Sequence, residues 1–427
     1  MGDRRRAAGA VDARVLDSAR ARLMTAMTAL ACRTGRRSTL ALGVGLLTVA
    51  ACRGGAPAEL WTEVDSAGVR IVTSDPDAAA AEPALELLLS IGTVGGGGPH
   101  ELHRVRDVEI VGTDRIAVAN AGSEEIRMFD LEGRFLGSFG GEGRGPEELR
   151  GLAMVQDLGD SLYAYDSGND RVSVRRLTGE FERSFRLEWF SGILFPVDIS
   201  PSGSILAVTA RHMTELTGSG TVVDTSLVSV YDLEGRLVDS VARLPHNERF
   251  VQQVGNMRTT VGAPFADEAS LAALADGFCH VYGPLVQIRC FDLAGDPTEI
   301  WRVAVEPHAV TAADVDRYWD ELWAEAVGPY RDAMLGVGDD LTFPTHFPAI
   351  SAILVDDEAR VWARLYTATE GEEVWWAFDD GRLVARLATP AGLEVMDMEA
   401  GLVAGVWRDA LDVEHVRVYR RTEPGGG

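Results

Sequence analysis

The chain is poor in the residues that announce a catalytic or metal centre. It holds four cysteines and eight histidines in 427 residues, with no HExxH and no paired Cys/His spacing, so no metal-ligating set can be named. GxSxG is missing too, which removes the nucleophile elbow of an α/β-hydrolase. Basic charge is scarce: Lys and Arg number 40 against 65 Asp and Glu, a net charge of −25. A field of that sign repels phosphate backbones and excludes nucleic acid as a partner. No long block of like charges occurs, so the excess reads as an acidic, solvated surface. Nor is there a long apolar run near the start. Leu40 to Ala51 is free of charge but too short to cross a hydrocarbon core of about 30 Å. What the chain does have is 46% apolar residues, enough to bury a substantial core and to exclude a disordered chain.

That short run has a setting. Arg33, Arg36 and Arg37 precede it and Cys52 follows it, the layout of an export signal. Its end, "VAAC" (Val49 to Cys52), resembles a bacterial lipobox, in which the cysteine is acylated and becomes the new N-terminus. The alternative is a plain secretory signal with an incidental Cys52. The expected organisation is a signal segment 1–52, a linker 53–67, a folded domain 68–421 and a tail 422–427. Met24 or Met27 is an alternative translation start.

The folded domain is repetitive. "MFDLEGRFLGSF" (128–139), "VRRLTGEFERSF" (174–185), "VYDLEGRLVDSV" (230–241), "CFDLAGDPTEIW" (290–301) and "AFDDGRLVARL" (377–387) each pair two β-type runs about a turn glycine: Gly133, Gly179, Gly235, Gly295 and Gly381. Two further β-type runs precede the hairpin in the best units. Four strands at this period spell a β-propeller blade, which cannot stand alone because both its faces are apolar.

"LSIGTVGGGGPHEL" (89–102) superficially suggests a phosphate loop. It matches "FGGEGRGPEEL" (139–149), placing Gly98-Pro99 over Gly145-Pro146 and Glu101 over Glu148. Both are therefore inter-blade connections. A nucleotide site would need a following helix and a Lys-Ser/Thr pair or GxGxxG, and Pro99 leads into another β-type run. The match also makes "LLLSIG" an outer strand without its blade, while the C-terminal segment offers three strands without an outer one. Leu87–Ile91 is expected to pair with Val416–Tyr419 and close the ring.

"AVANAGSEEIRMFDLEGRFLGSFGGEGRGPEEL" resembles the NHL-repeat type of six-bladed β-propeller, and the chain from 68 to 421 resembles bacterial exported six-bladed propellers of unknown function. Arg176, where the repeat expects Asp, departs from the pattern. The resemblance implies an all-β fold of six four-stranded antiparallel blades and an envelope location. It brings no reaction.

One segment is not β. In "VTAADVDRYWDELWAEAVGPYRDAML" (310–335), Val315, Tyr318, Trp319, Leu322 and Trp323 recur at helical spacing, with Thr311 as N-cap and Asp314 three residues on. This insertion joins blades four and five. Its aromatic stripe either packs on them or lids the channel mouth. Cys279 and Cys290 flank a turn-like "GPL" and face each other across a hairpin, so they form a disulfide or remain two buried thiols.

Position alone selects candidate ligand-binding residues: Glu101, Arg104, Glu148, Arg150 and His346, where the chain enters successive blades on one face. No catalytic residue and no cofactor is assigned. The expectation is a monomeric, lipid-anchored module of the cell or outer membrane, facing periplasm or exterior. It would touch the membrane only through its anchor and bind a protein, peptide or carbohydrate. The alternative is a lactonase-, hydrolase- or lyase-like enzyme with Ca or Zn in the channel.

Overall fold

A computed structural model describes residues 60–80, 84–95, 97–188, 193–210, 219–254, 257–325, 340–367 and 371–422. The chain divides into Met1–Pro57 and Ala58–Gly427. The signal segment, Cys52, residues 326–335 of the expected helix and the tail from 423 lie outside the described residues.

The second unit is mostly β. It opens with β1 (Trp61–Ser66), β2 (Val69–Ser74) and β3 (Ala84–Ile91). The first sheet follows as β4 (Val105–Val111), β5 (Arg115–Asn120), β6 (Glu125–Asp130) and β7 (Phe135–Gly140). The second is β8 (Leu152–Leu158), β9 (Ser161–Asp166), β10 (Arg171–Arg176) and β11 (Phe181–Phe185). The third is β12 (Ile193–Ile199), β13 (Ile205–Ala210), β14 (Gly220–Tyr231), β15 (Leu237–Val254) and β16 (Met257–Gly262). The fourth is β17 (Ser270–Leu274), β18 (Gly277–Val281), β19 (Gln287–Asp292) and β20 (Pro297–Val303). The fifth is β21 (Ile350–Val355), β22 (Val361–Leu365), β23 (Glu373–Asp379) and β24 (Arg382–Thr389). The sixth is β25 (Leu393–Asp397), β26 (Leu402–Arg408), β27 (Glu414–Thr422) and, from the other end of the chain, β3.

That last pairing is the one the sequence match demanded. β3 runs antiparallel to β27, with Ile91 opposite Val416 and Leu87 opposite Tyr419. Two sheets depart from four strands. The third gains β16, and the fourth gains β2, which pairs with β20 in parallel, and β1 beyond it. Part of the expected linker 53–67 is therefore strand, since β1 spans Trp61–Ser66.

Burial explains why each strand has its composition. β5, "RIAVAN", is buried at every residue after the first and reads as a nearly unbroken apolar run, because both faces of its sheet are covered. β7, "FLGSFG", is half open and alternates. Six apolar clusters fill the spaces between neighbouring sheets. Ile126 and Leu162 share the first-to-second cluster, Tyr165 and Ile205 the second-to-third, Val208 and Phe278 the third-to-fourth. Ile288 and Phe378 share the fourth-to-fifth, and Trp375 and Val403 the fifth-to-sixth. The sixth cluster joins the last sheet to the first through Val416, Leu89, Phe129 and Ile116. Each such side chain contributes about 1.5–3 kcal/mol on full burial. No sheet obtains that without both neighbours.

All five turn glycines adopt left-handed φ, from 79° to 93°. Gly295 shows why no other residue serves. Its φ is +82°, and a Cβ there would lie 2.1 Å from the carbonyl oxygen of Val241 on β15 of the preceding sheet. Cys279 and Cys290 face each other directly across β18 and β19 and are joined as a disulfide with Cα atoms 4.1 Å apart.

The described helix is α1 (Ala312–Glu325), capped as expected. The Asp314 carboxylate accepts from the Thr311 hydroxyl at 2.6 Å and from the Thr311 amide at 2.9 Å. These bonds hold the Asp314 carboxyl down at about 2. Its aromatic stripe is covered by the third sheet and by the segments that lead into the fourth and fifth, where Phe265 and Phe343 meet Tyr318 and Trp319. Tyr318, Trp319, Leu322 and Trp323 pack around Phe250 and Leu341. β15 runs 18 residues, far past its turn, and Phe250 lies on that extension. The long third sheet thus has a physical reason, to seat the helix.

Candidate functional site

The first strand of every sheet is an edge strand, with one row of amides that its own sheet leaves unpaired. Side chains from the neighbouring first strand bond that row. Asp397 at the end of β25 accepts from the Ile110 amide of β4 at 2.8 Å. From β4, Asp107 accepts from Val155 and Glu109 from Asp157 on β8, each at 2.9 Å. Gln156 of β8 accepts from the Ile199 amide of β12 at 2.8 Å and donates to Asp198 at 2.8 Å. Asp198 accepts from Ala273 on β17 at 2.7 Å, and Ser270 of β17 from Ile353 on β21 at 3.0 Å. Asp357, just past β21, accepts from the Ala400 amide just past β25 at 3.2 Å. The circuit returns to the strand where it began.

A bulge aims several of these side chains. In five of the six sheets the pairing of first and second strands slips by one residue, and Asp107, Asp198 and Asp397 each follow the slip directly. The result is one cavity of about 420 Å³ lined by all six first strands. The lining runs from mid-strand into the turns that follow, through Gly159, Pro201, Asp357 and Glu399. It contains eight carboxylates and no Lys, Arg or His.

Burial among like charges raises these acids. Asp107 is pushed up to about 7, chiefly by burial, against the pull of the Val155 and Val108 amides. Glu399 rises to about 7 through burial and then the nearby Asp157, Asp357 and Asp356 charges. Glu109 and Asp397 rise well above the carboxylate range, again through burial first and then neighbouring carboxylates. Asp157 and Asp198 are raised by burial as well. Asp356 is a contrast within the same wall. Its oxygens accept from Arg360 Nε at 3.0 Å and Trp362 Nε1 at 2.9 Å, and Arg421 lies at 3.6 Å, so its charge is matched. Glu109, Asp397 and Glu399 each offer an oxygen within 4.8 Å of the others. An all-oxygen set of this kind suits a hard divalent cation such as Ca²⁺ better than Zn²⁺.

None of the five residues selected from the sequence lines this cavity. They lie at the upstream ends of first strands, or in the loops before them, whereas the cavity opens at the downstream ends. Glu101 and Glu148 hold the glycine loops: Glu101 accepts from the Gly97 amide at 2.8 Å and Glu148 from the Gly145 amide at 2.7 Å. Arg127 and Arg171, one sheet apart, clamp the same loops by donating to their carbonyls. Those bonds make the glycine run architectural. Arg150 is exposed, and its amide donates to Asp166. Arg104 is exposed, with φ of 55°. His346 forms an isolated bridge with Ala309 and its Nδ1 lies 3.0 Å from the Thr345 hydroxyl.

Sequence reasoning passed over the acids because acids are everywhere in this chain. A usable signal existed: "VRDVEIV", "MVQDLGD", "PVDIS", "LVDDE" and "VMDME" each break a first-strand apolar run with a carboxylate just before its turn.

No protein-family model matches the chain, and no curated protein is similar to it. Solved structures are similar at low identity. A candidate exported protein of Bacteroides fragilis is 12% identical, with 83% of this chain and 100% of that one covered at a TM-score of 0.45. A PQQ-bound aldose sugar dehydrogenase of Streptomyces coelicolor is 13% identical, covering 80% and 99% at 0.40. A streptogramin B lyase is 11% identical, covering 78% and 97% at 0.36.

Proposed function

We propose that the chain is a closed six-bladed β-propeller of NHL type, exported and lipid-anchored through Cys52, that binds a cationic ligand at the acidic end of its channel. The ligand of first choice is a divalent metal ion held by Glu109, Asp397 and Glu399. The observation that carries this reading is the convergence of eight carboxylates on one cavity whose lining supplies no cation of its own. The apolar cluster between sixth and first sheets, together with the circuit of side-chain bonds through all six first strands, supports closure. The "VAAC" motif supports anchoring.

Raised acids define how such a site behaves. Near neutrality several of them retain protons, and a divalent cation must displace those protons to bind. Affinity therefore rises with pH. Asp107, Glu109, Asp198 and Asp397 already accept amides of neighbouring strands, so we read the site as binding rather than catalytic. A second reading, a metal-dependent enzyme, has the cavity volume in its favour, since about 420 Å³ leaves room for a small substrate beside an ion.

Calorimetric titration of the purified protein with Ca²⁺ and Mn²⁺ at pH 5.5 and pH 8 tests the proposal. One site is expected, tighter at pH 8, and lost in Glu109→Gln/Asp397→Asn. Absence of binding at both pH values, or binding that survives the double substitution, rejects it.

A further inference from the structure

We infer that the opposite end of the ring carries an anion-binding groove between the first and second sheets, built on Arg104 and Arg106 and suited to a carboxylate or phosphate group. The groove encloses about 430 Å³ and is lined by Arg104, Arg106, Glu124 and Ser167 with the backbone around Gly151 and Leu152. In a chain of net charge −25, most structurally engaged arginines face a carboxylate or a carbonyl. The guanidinium groups of Arg104 and Arg106 are exposed and, among the described residues, have no hydrogen-bond or ion-pair partner.

The two guanidinium groups are the groove's free side-chain donors, and they face the charge of Glu124, one of whose oxygens is engaged by the backbone. The Glu124 carboxylate accepts from the Leu152 amide at 2.9 Å, and the Ser167 hydroxyl donates to the Gly151 carbonyl at 2.8 Å. Arg150 stands exposed just before this stretch, and among the described residues its side chain has no partner either. It adds positive potential at the rim.

Backbone strain points to the same place. Arg104 holds φ at 55°, a conformation a long side chain adopts at a cost. Bonds on both sides enforce it. The His103 amide donates to Asn120 Oδ1 at 2.8 Å, the Val105 amide donates to Glu414 Oε2 at 2.8 Å, and the Arg104 carbonyl accepts from the Ala121 amide. Arg104 and Arg106 both line the groove. Arginine pairs with carboxylate and phosphate through parallel donors, the chemistry an oxyanion requires. The groove is distinct from the acidic cavity, although the two linings meet along β4 and β8, where Arg106 adjoins Asp107 and Ala153 adjoins Met154.

The test is calorimetric titration of the purified protein with citrate and, separately, with inorganic phosphate, at constant ionic strength. Saturable binding of at least one anion at a single site is expected, and which one binds distinguishes a carboxylate from a phosphate ligand. Arg104→Gln/Arg106→Gln is expected to weaken it by about tenfold or more. Arg144→Gln removes an exposed arginine of a glycine loop outside the groove and is expected to change affinity by less than about twofold. Both exposed positions tolerate the change without unfolding, which a thermal melt checks. No binding of either anion overturns the inference, as does an equal loss in the Arg144 variant, since that outcome is general electrostatics. Glu109→Gln/Asp397→Asn is expected to leave anion binding intact, so the two sites fail separately.

Discussion

The two ends of the first strands solve different problems. Upstream, glycine loops carry the chain from one sheet to the next, and the requirement falls on the backbone: left-handed φ at Gly97 and Gly140, with Glu101, Glu148, Arg127 and Arg171 as staples. Downstream, strands far apart in sequence place carboxylates around one cavity, and the requirement falls on convergence. A backbone requirement narrows the choice at one position almost to glycine, so it is visible in any single repeat. A convergence requirement is met by ordinary acids, each unremarkable where it stands. The first kind of feature sets how one sheet passes to the next, and the second depends on the arrangement of sheets that results.

The comparison predicts its largest effect at the turn glycines. Gly295→Ala combines φ of +82° with a Cβ 2.1 Å from a backbone oxygen that cannot step aside, so stability should fall by about 3 kcal/mol or more. Gly159→Ala has φ of +64° but open space, and about 1–2 kcal/mol is expected. Equal losses in denaturant melts would show that the contact with the preceding sheet does not matter.

Next in size is Asp356→Ala, in the wall of the acidic cavity but matched by Arg360, Trp362 and Arg421. Removing it strands buried donors and should cost about 3 kcal/mol. It separates an acid matched by cations of the chain from the acids that the proposed cation would have to match.

The unmatched acids should act through pH. Their folded values lie above the ordinary ones, so between about pH 4 and the folded values the native state holds protons that the unfolded chain has released. Stability contributed by these groups is complete below pH 4 and is lost as pH rises through 7 for Asp107 and Glu399. Without divalent cation, the denaturation midpoint should fall between pH 5 and pH 8, by the equivalent of about 1–3 kcal/mol. Glu109→Gln should flatten the slope. A slope unchanged by that substitution would place the responsible groups elsewhere.

How much of this was legible follows from the same division. The hairpins, the pairing of β3 with β27, the facing of Cys279 and Cys290 across a hairpin and the Thr311 cap all rest on local patterns or on a match between two local patterns, and each is present. The extension of β15 under α1 was not legible, because Phe250 looks like any strand residue until the helix is placed on it. The acidic cavity was not legible for a related reason. Asp198 and Asp397 are nearly 200 positions apart, and only the packing of the sheets brings them to one cavity. Position on the ring was the criterion that selected Glu101, Arg104, Glu148, Arg150 and His346, and it favoured the end where glycines make the loops conspicuous.

The smallest effect tests whether conspicuous means functional. Glu148 is exposed, and its carboxylate accepts one hydrogen bond, from the Gly145 amide. Solvent can replace that bond, while Arg171 still grips the loop through the Gly145 and Glu148 carbonyls, which a side-chain substitution leaves in place. Glu148→Ala should therefore lower stability by less than about 1 kcal/mol and leave Ca²⁺ binding at the far end unchanged. A loss of cation binding in that variant would mean that the loops and the acidic cavity are energetically linked, and the division between glycine loops upstream and an acidic cavity downstream would have to be given up.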